Sequence, residues 1–260
     1  MRKIIVTTGG RPDEQSVALA HFAATTLNAP YIERKKRSIV KIQTEYKADI
    51  LVAGKMRYEL FMQGNTEPFF YHPNAAAFRL KRLAKGEEDP MVAISNLKIG
   101  DSFLDCTLGL GADSLVAQYV VGNGHVVGVE ADPAVAFIVR EGMKHYDLNE
   151  LPIASPMRKI EVVHSEALQF LRTLSDNSFD IVFLDPMFDE IIEESTNFTS
   201  LREAGAHIAL NDAWVQEALR VAKRGVVLKA HFRSPWFDLY GFTREIRTTS
   251  KFHYGFLASK

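Results

Sequence analysis

The stretch that most constrains the fold of this chain is Ser102 to Asp113, SFLDCTLGLGAD. Apolar-rich residues lead into Asp105, glycines follow at 109 and 111, and Leu115, Val116, Tyr119 and Val120 then form an apolar-periodic run. This is the pattern of a buried strand, a tight loop and a helix start. The alternation continues downstream, with strands expected at 103–106, 125–130, 160–164, 179–184 and 225–230 and helices between them. Two late strands, 246–250 and 252–258, are joined too closely for a helical crossover and are expected as an antiparallel hairpin at one edge. Repeated strand–helix alternation implies a doubly wound, mostly parallel sheet, here of seven strands. In such sheets ligands sit outside the carboxyl ends of the strands, so the chemistry is sought at residues that end strands.

The N-terminal part reads as a smaller α/β module, residues 1–75, preceding a catalytic domain, residues 76–260. Lys3–Thr8 is expected as a strand, Gly9–Pro12 as a turn and Asp13–Leu27 as a helix. Ile39–Ile42 and Ala48–Val52 are expected as short strands, and Ala75–Lys85 as the helix that leads into the large domain. The N-terminal part is the basic part: residues 1–100 carry 16 lysines and arginines against 10 aspartates and glutamates, whereas residues 101–260 carry 15 against 22. That asymmetry permits a nucleic-acid-binding part joined to an acidic catalytic one, and Arg34-Lys35-Lys36-Arg37 offers contacts to phosphate. No run approaches the ~18 apolar residues of a membrane span, and Arg11, Asp13 and Glu14 stand where a secretory apolar region would continue, so a cytoplasmic location is expected. The single cysteine, Cys106, excludes an intramolecular disulfide and is expected as a small buried side chain. No His/Asp/Cys cluster has metal-ligand spacing, and no metal is expected.

Three strand ends carry the chemistry. Gly109 and Gly111 let backbone approach a ligand closely, and Glu130, ending the second strand of the large sheet, can accept hydrogen bonds from ribose hydroxyls. That pair suits a dinucleotide or any other adenosine-bearing cofactor. Asp105 tilts the choice, because an anion there opposes a pyrophosphate and favours a cationic or amino group. The third strand ends in His164-Ser165-Glu166-Ala167, where a carboxylate can accept from an adenine amino group. Both features favour S-adenosylmethionine, which carries positive charge and no phosphate. The fourth strand runs into Asp185-Pro186-Met187-Phe188, a carboxylate, a rigid turn and an aromatic ring. Such a group can hold an exocyclic base amine by its N–H groups and stack the base on the ring. The ordinary alternative is a helix cap at a strand end.

The set DCTLGLG, VEADP and LDPMF resembles class I S-adenosylmethionine-dependent methyltransferases, and DPMF is similar to the (Asn/Asp)-Pro-Pro-(Tyr/Phe) signature of amino-N methyltransferases. With VVLKAHFRSP and SKFHYGF, it resembles the small-subunit ribosomal RNA guanine-N2 methyltransferase family over residues 100–260. Met187 stands where the second proline is commoner. The resemblance implies a Rossmann-like fold, S-adenosylmethionine as cofactor and Asp185, Pro186, Met187 and Phe188 as the catalytic tetrapeptide. The candidate cofactor residues are Asp105, Thr107, Gly109, Gly111, Asp113, Glu130, Ala131, Ser165, Glu166 and Ala167. Candidate substrate contacts are His72 and Asn74 in the aromatic lead-in, and Lys229, His231 and Arg233 after the fifth strand, where cations alternate with aromatics. The expected partner is RNA, ribosomal RNA or a ribosomal subunit, and the expected reaction is methylation of an exocyclic base amine, with guanine N2 foremost. Other readings are an amino-methyltransferase of DNA adenine, a protein amide or a small molecule, a nicotinamide-dependent oxidoreductase, and a non-catalytic RNA-binding protein. The sequence leaves the oligomeric state open.

Overall fold

The computed structural model describes residues 2–146, 154–186 and 210–259. In chain order the first elements are β1 (Ile4–Thr8), α1 (Glu14–Thr26), α2 (Ile39–Tyr46), β2 (Asp49–Ala53) and β3 (Tyr58–Phe61). Next come α3 (Asn74–Ala84), α4 (Pro90–Ser95), β4 (Ser102–Asp105), α5 (Ala112–Val121), β5 (His125–Glu130) and α6 (Pro133–His145). Then follow α7 (Ala154–Met157), β6 (Glu161–His164), α8 (Ala167–Thr173), β7 (Phe179–Leu184), α9 (Asp212–Val221), β8 (Ala222–His231), α10 (Trp236–Leu239), β9 (Thr243–Glu245) and β10 (Phe252–Ala258). No helix among the described residues is long and apolar enough to cross a membrane. The chain divides into two units.

The first unit gathers residues up to His72 together with α6. Its three-stranded sheet has the order β1-β2-β3, parallel between β1 and β2 and antiparallel between β2 and β3. Residues 39–42, expected as a strand, open helix α2. Ser38 caps that helix by accepting from the Lys41 N–H at 3.1 Å, and Ile39, Ile42 and Tyr46 recur at helical spacing to close the core formed with Ile5, Ala48, Ile50 and Val52. The short apolar run looked strand-like because periodicity over four residues does not separate the two states. Helix α6 packs through Phe137, whose ring meets Tyr58 edge-on at 4.8 Å, and through Gly142, where a Cβ would lie 2.3 Å from Tyr71 Cγ.

The second unit is built on a seven-stranded sheet of order β6-β5-β4-β7-β8-β10-β9. The first five strands are mutually parallel, and β10 lies antiparallel between β8 and β9. It is the mostly parallel sheet with a C-terminal hairpin read from the strand–helix alternation. The penultimate strand is displaced from 246–250 to 243–245, which pair with 254–256. Residues 246–250 instead make the turn, held by Ser250 N–H to Arg247 O at 3.2 Å and Arg247 N–H to His253 Nε2 at 3.3 Å. Ile246, Thr248 and Thr249 favour strands, but an antiparallel pair needs a reversal, and Ile246 remains exposed there. The central strands are buried on both faces: Phe103, Leu104, Ile181, Val182, Phe183, Val226, Val227 and Leu228 are fully enclosed. Registers Asp105 with Gly128, Asp105 with Phe183 and Glu130 with His164 bring the carboxyl ends of β4, β5, β6 and β7 to one edge.

Candidate active site

The loop after β4 is shaped by its own backbone. Cys106 N–H donates to Phe183 O at 3.0 Å, Leu108 N–H to Val129 O at 2.9 Å and Gly111 N–H to Leu108 O at 2.7 Å. These bonds hang the loop between β7 and β5. Gly109 and Gly111 have φ of +50° and +71°, values that side chains with a Cβ rarely adopt, and Gly111 forms the N-cap of α5. Glu130, buried at the end of β5, accepts from the Gly109 N–H at 3.2 Å and so sets the carboxylate against the loop. Cys106 is buried, and burial pushes its thiol well above the usual range.

Asp105 lies beneath the loop, 1% exposed. Its Oδ1 accepts from the Thr107 N–H at 3.0 Å and its Oδ2 from Ser114 Oγ at 2.7 Å. Burial, with the charge of Asp113 nearby, raises its pKa to about 7. Thr107 also links two strand ends, because the Asp185 N–H donates to Thr107 Oγ1 at 2.8 Å. The β6 end joins by the Ser165 N–H on Glu130 O at 3.1 Å; Glu166 is exposed at the N-cap position of α8 without a side-chain capping bond, and Ala167 is buried in the first turn. Ala131 follows β5 and is half-buried.

Asp185 is tied into a chain of alternating charges. Lys229 Nζ donates to Asp185 Oδ2 at 2.6 Å and to Asp113 Oδ2 at 3.1 Å. Arg79 takes the other oxygen of Asp113 at 2.6 Å and binds the Asp89 carboxylate twice, at 2.8 and 2.9 Å. Burial opposes ionisation of Asp113, yet Lys229 and Arg79 outweigh it and hold its pKa at about 2. Burial likewise opposes the charge on Lys229, and Asp113 and Asp185 overcome it, so the ammonium stays protonated well above its usual range. At Asp185 burial is the largest influence and raises the pKa, with Lys229 pulling the other way. Tyr254 of β10 stands beside this chain, its hydroxyl pushed up to about 12 by burial and by Asp113.

Pro186 follows Asp185, whereas Met187 and Phe188 lie outside the described residues. Asn74 is exposed at the first turn of α3. At the end of β8, His231 Nδ1 accepts from the Arg233 N–H at 3.3 Å, and the Arg233 guanidinium lies 5.1 Å from the exposed Phe232 ring. His72 belongs to the first unit, where burial and the Arg57 charge lower its pKa. Its buried Nδ1 has no hydrogen-bond partner among the described residues, and its ring meets Phe70 edge-on at 5.6 Å.

Arg79, Asp89 and Ser114 escaped the sequence reading. A signal existed for two of them. Arg79 lies between buried Ala76 and Leu80 on α3, a place where a charge demands a partner, and Asp89 before Pro90 is a helix-cap pattern. Which cation meets which anion depends on chain segments far apart in sequence.

The donor set fits S-adenosylmethionine. Carboxyl groups stand at the ends of β4, β5 and β7, and the two cations beside them, Lys229 and Arg79, are both committed to aspartates rather than available to a pyrophosphate. Among the described residues no group of three or more histidines, cysteines, aspartates or glutamates could hold a metal ion.

Comparison with known proteins gives the family and the fold. The family model "Putative SAM-dependent methyltransferase" matches residues 38–248. The chain is 40% identical over 252 residues to the uncharacterized protein YpiP of Bacillus subtilis (strain 168), covering 96% of this chain and 98% of that one. It is 32% identical over 114 residues to ribosomal RNA small subunit methyltransferase J of Acinetobacter baylyi, a match spanning 43% of this chain and 41% of the relative. Among solved structures, a SAM-dependent methyltransferase from Neisseria gonorrhoeae has the same fold, with a TM-score of 0.63, 18% identity and coverage of 98% of this chain and 96% of that one.

Proposed function

The chain belongs to the S-adenosylmethionine-dependent methyltransferase family, and from that premise we propose that it methylates an exocyclic amino group of an RNA base, guanine N2 in small-subunit ribosomal RNA. The observation that carries this reading is the Asp185 carboxylate at the end of β7, followed by Pro186, anchored to Thr107 of the glycine loop through its own N–H and facing the Lys229 ammonium. An ionised carboxylate only accepts hydrogen bonds. Guanine presents N1–H beside the N2 amine, two adjacent donors that match two carboxylate oxygens. Adenine presents its amine beside the N1 lone pair, which sets an acceptor against an acceptor. The partial likeness to ribosomal RNA small subunit methyltransferase J supports the same substrate class.

In this reading Glu130, with Gly109, Gly111, Ala131 and Asp113 around the loop, forms the cofactor side, together with Asp105, Thr107, Ser165, Glu166 and Ala167. S-adenosylmethionine, when bound, supplies a methyl group activated by the sulfonium. Asp185 holds the amine by its N–H and concentrates electron density on the nitrogen. The Pro186 carbonyl completes the grip on the amine, while Met187 and Phe188 of the same tetrapeptide lie outside the described residues. The proton that the nitrogen sheds on methylation has Asp185 as its acceptor. His231, Arg233 and Asn74 make phosphate and base contacts, aided by the exposed Phe232 face, and His72 is a separate candidate contact within the first unit.

The test is mass-spectrometric mapping of small-subunit ribosomal RNA from a strain lacking the gene. One N2-methylguanosine is lost in that strain; the wild-type chain restores it and Asp185→Ala does not. Unchanged guanine modification, or loss of an N6-methyladenosine instead, overturns the assignment of base.

A further inference from the structure

The chain Asp89, Arg79, Asp113, Lys229 and Asp185 draws each member from a different element. Asp89 caps α4, accepting from the Met91 N–H at 3.1 Å; Arg79 lies on α3, Asp113 on α5, Lys229 on β8, and Asp185 ends β7. Four members are mostly enclosed, with side-chain exposures from 5 to 22%, and Asp185 is the most open at 28%. The chain therefore starts at a helix cap inside the fold and ends at the candidate amine-binding carboxylate. Removing one partner of an enclosed ion pair leaves an uncompensated charge, so each link constrains the next.

We propose that Lys229 is a positioning residue: as the last link of this chain, it holds the Asp185 carboxylate charged and aimed at the substrate amine. This rests on the reading of Asp185 above. Lys229 itself need not touch the base, because its ammonium is already shared by two carboxylates. The groups facing Asp185 make that role necessary. Asp113 on α5 repels its negative charge; Arg79 on α3 and Lys229 on β8 favour it, and Lys229 is the cation in direct contact, while Asp105 on β4 is protonated up to about pH 7. Tyr254 on β10 is uncharged beside them, since its hydroxyl titrates only at about 12. Without the Lys229 charge, Asp185 would be a carboxyl largely shielded from water beside the Asp113 charge, and such groups take up a proton. A protonated Asp185 presents an O–H donor where the guanine edge offers only donors.

The experiment follows the Asp185 carboxyl directly in the full-length protein. Carbon-13 NMR of aspartate-labelled protein, with the Asp185 signal assigned by its absence in Asp185→Asn, gives the titration midpoint without any substrate. In Lys229→Met the midpoint moves up by about 1–3 pH units, the range an adjacent opposite charge supplies. Lys229→Gln, which keeps a donor but no charge, behaves alike and serves if the methionine variant does not fold; Lys229→Arg restores the wild-type midpoint. In methyl transfer to small-subunit RNA from the deletion strain, the acid limb of kcat moves to higher pH by the same amount, while S-adenosylhomocysteine affinity stays within threefold. An unmoved NMR midpoint in the neutral variants overturns the proposal for Lys229. A moved midpoint with no methylation of guanine by the wild-type protein upholds Lys229 and overturns the proposed function instead.

Discussion

Asp105 keeps its proton in the folded chain up to about pH 7, because its carboxyl is buried and Asp113 lies nearby. In the unfolded chain the same group titrates near its ordinary 3.8. Between those values the folded state binds the extra proton, so this group's contribution to stability is full at low pH and is lost as pH rises through about 7. Asp105→Asn removes that linkage. Its unfolding free energy, measured in denaturant at pH 5, 6 and 7, should fall less steeply than that of the wild type, by about 1.4 kcal/mol per pH unit. Parallel slopes would show that Asp105 ionises as an ordinary carboxylate. The presence of an acid at this strand end was legible from SFLDCT, but its proton affinity was not. That depends on Ser114 and Asp113, delivered by the first turn of α5, and on the depth at which β4 is buried.

Between elements, the cofactor loop and β5 fit through one small residue. A Cβ on Gly128 would lie 2.3 Å from Leu108 Cδ1 and 3.1 Å from Leu108 Cγ, and Leu108 is itself buried. Gly128→Ala forces a shift of the Leu108 side chain or of the loop that carries it, which is held by the Leu108 N–H on Val129 O. Overpacking of this kind costs about 1–3 kcal/mol. The expected result by calorimetry is a loss of S-adenosylhomocysteine affinity of about tenfold, equivalent to roughly 1.4 kcal/mol. Unchanged affinity would mean that Leu108 turns aside and the loop stays. Gly128 stood in the sequence as one more strand residue in HVVGVE, because its partner Leu108 is 20 positions away. The helix α2 and the shifted β9 teach the same lesson at this scale: a short apolar run takes its state from the cap at Ser38, and a β-rich run yields to the turn that its neighbours require.

For the molecule as a whole, the proposed RNA substrate needs a basic surface, and the run at 34–37 divides in two. The guanidinium of Arg37 pairs with Glu45 and donates to Arg34 O and Glu33 O, while Arg34 donates to Arg37 O, so these two brace their own loop. Lys35 and Lys36 are exposed and adopt φ of +46° and +61°. Replacing both by Glu should weaken RNA binding and reduce its dependence on salt concentration by about two phosphate contacts. The check is the slope of log affinity against log salt, and an unaltered slope excludes contact there. From sequence alone came the strand–helix alternation, the hairpin at the edge, the acids at the strand ends and the carboxylate before Pro186, because hydrophobic period and turn chemistry are local in the chain. Only the tertiary structure decided the pairing of Asp89, Arg79, Asp113, Lys229 and Asp185, and with it the charge each one carries. Burial and Coulomb energy depend on distances in space between residues separated by up to 116 positions, and no local pattern encodes those distances.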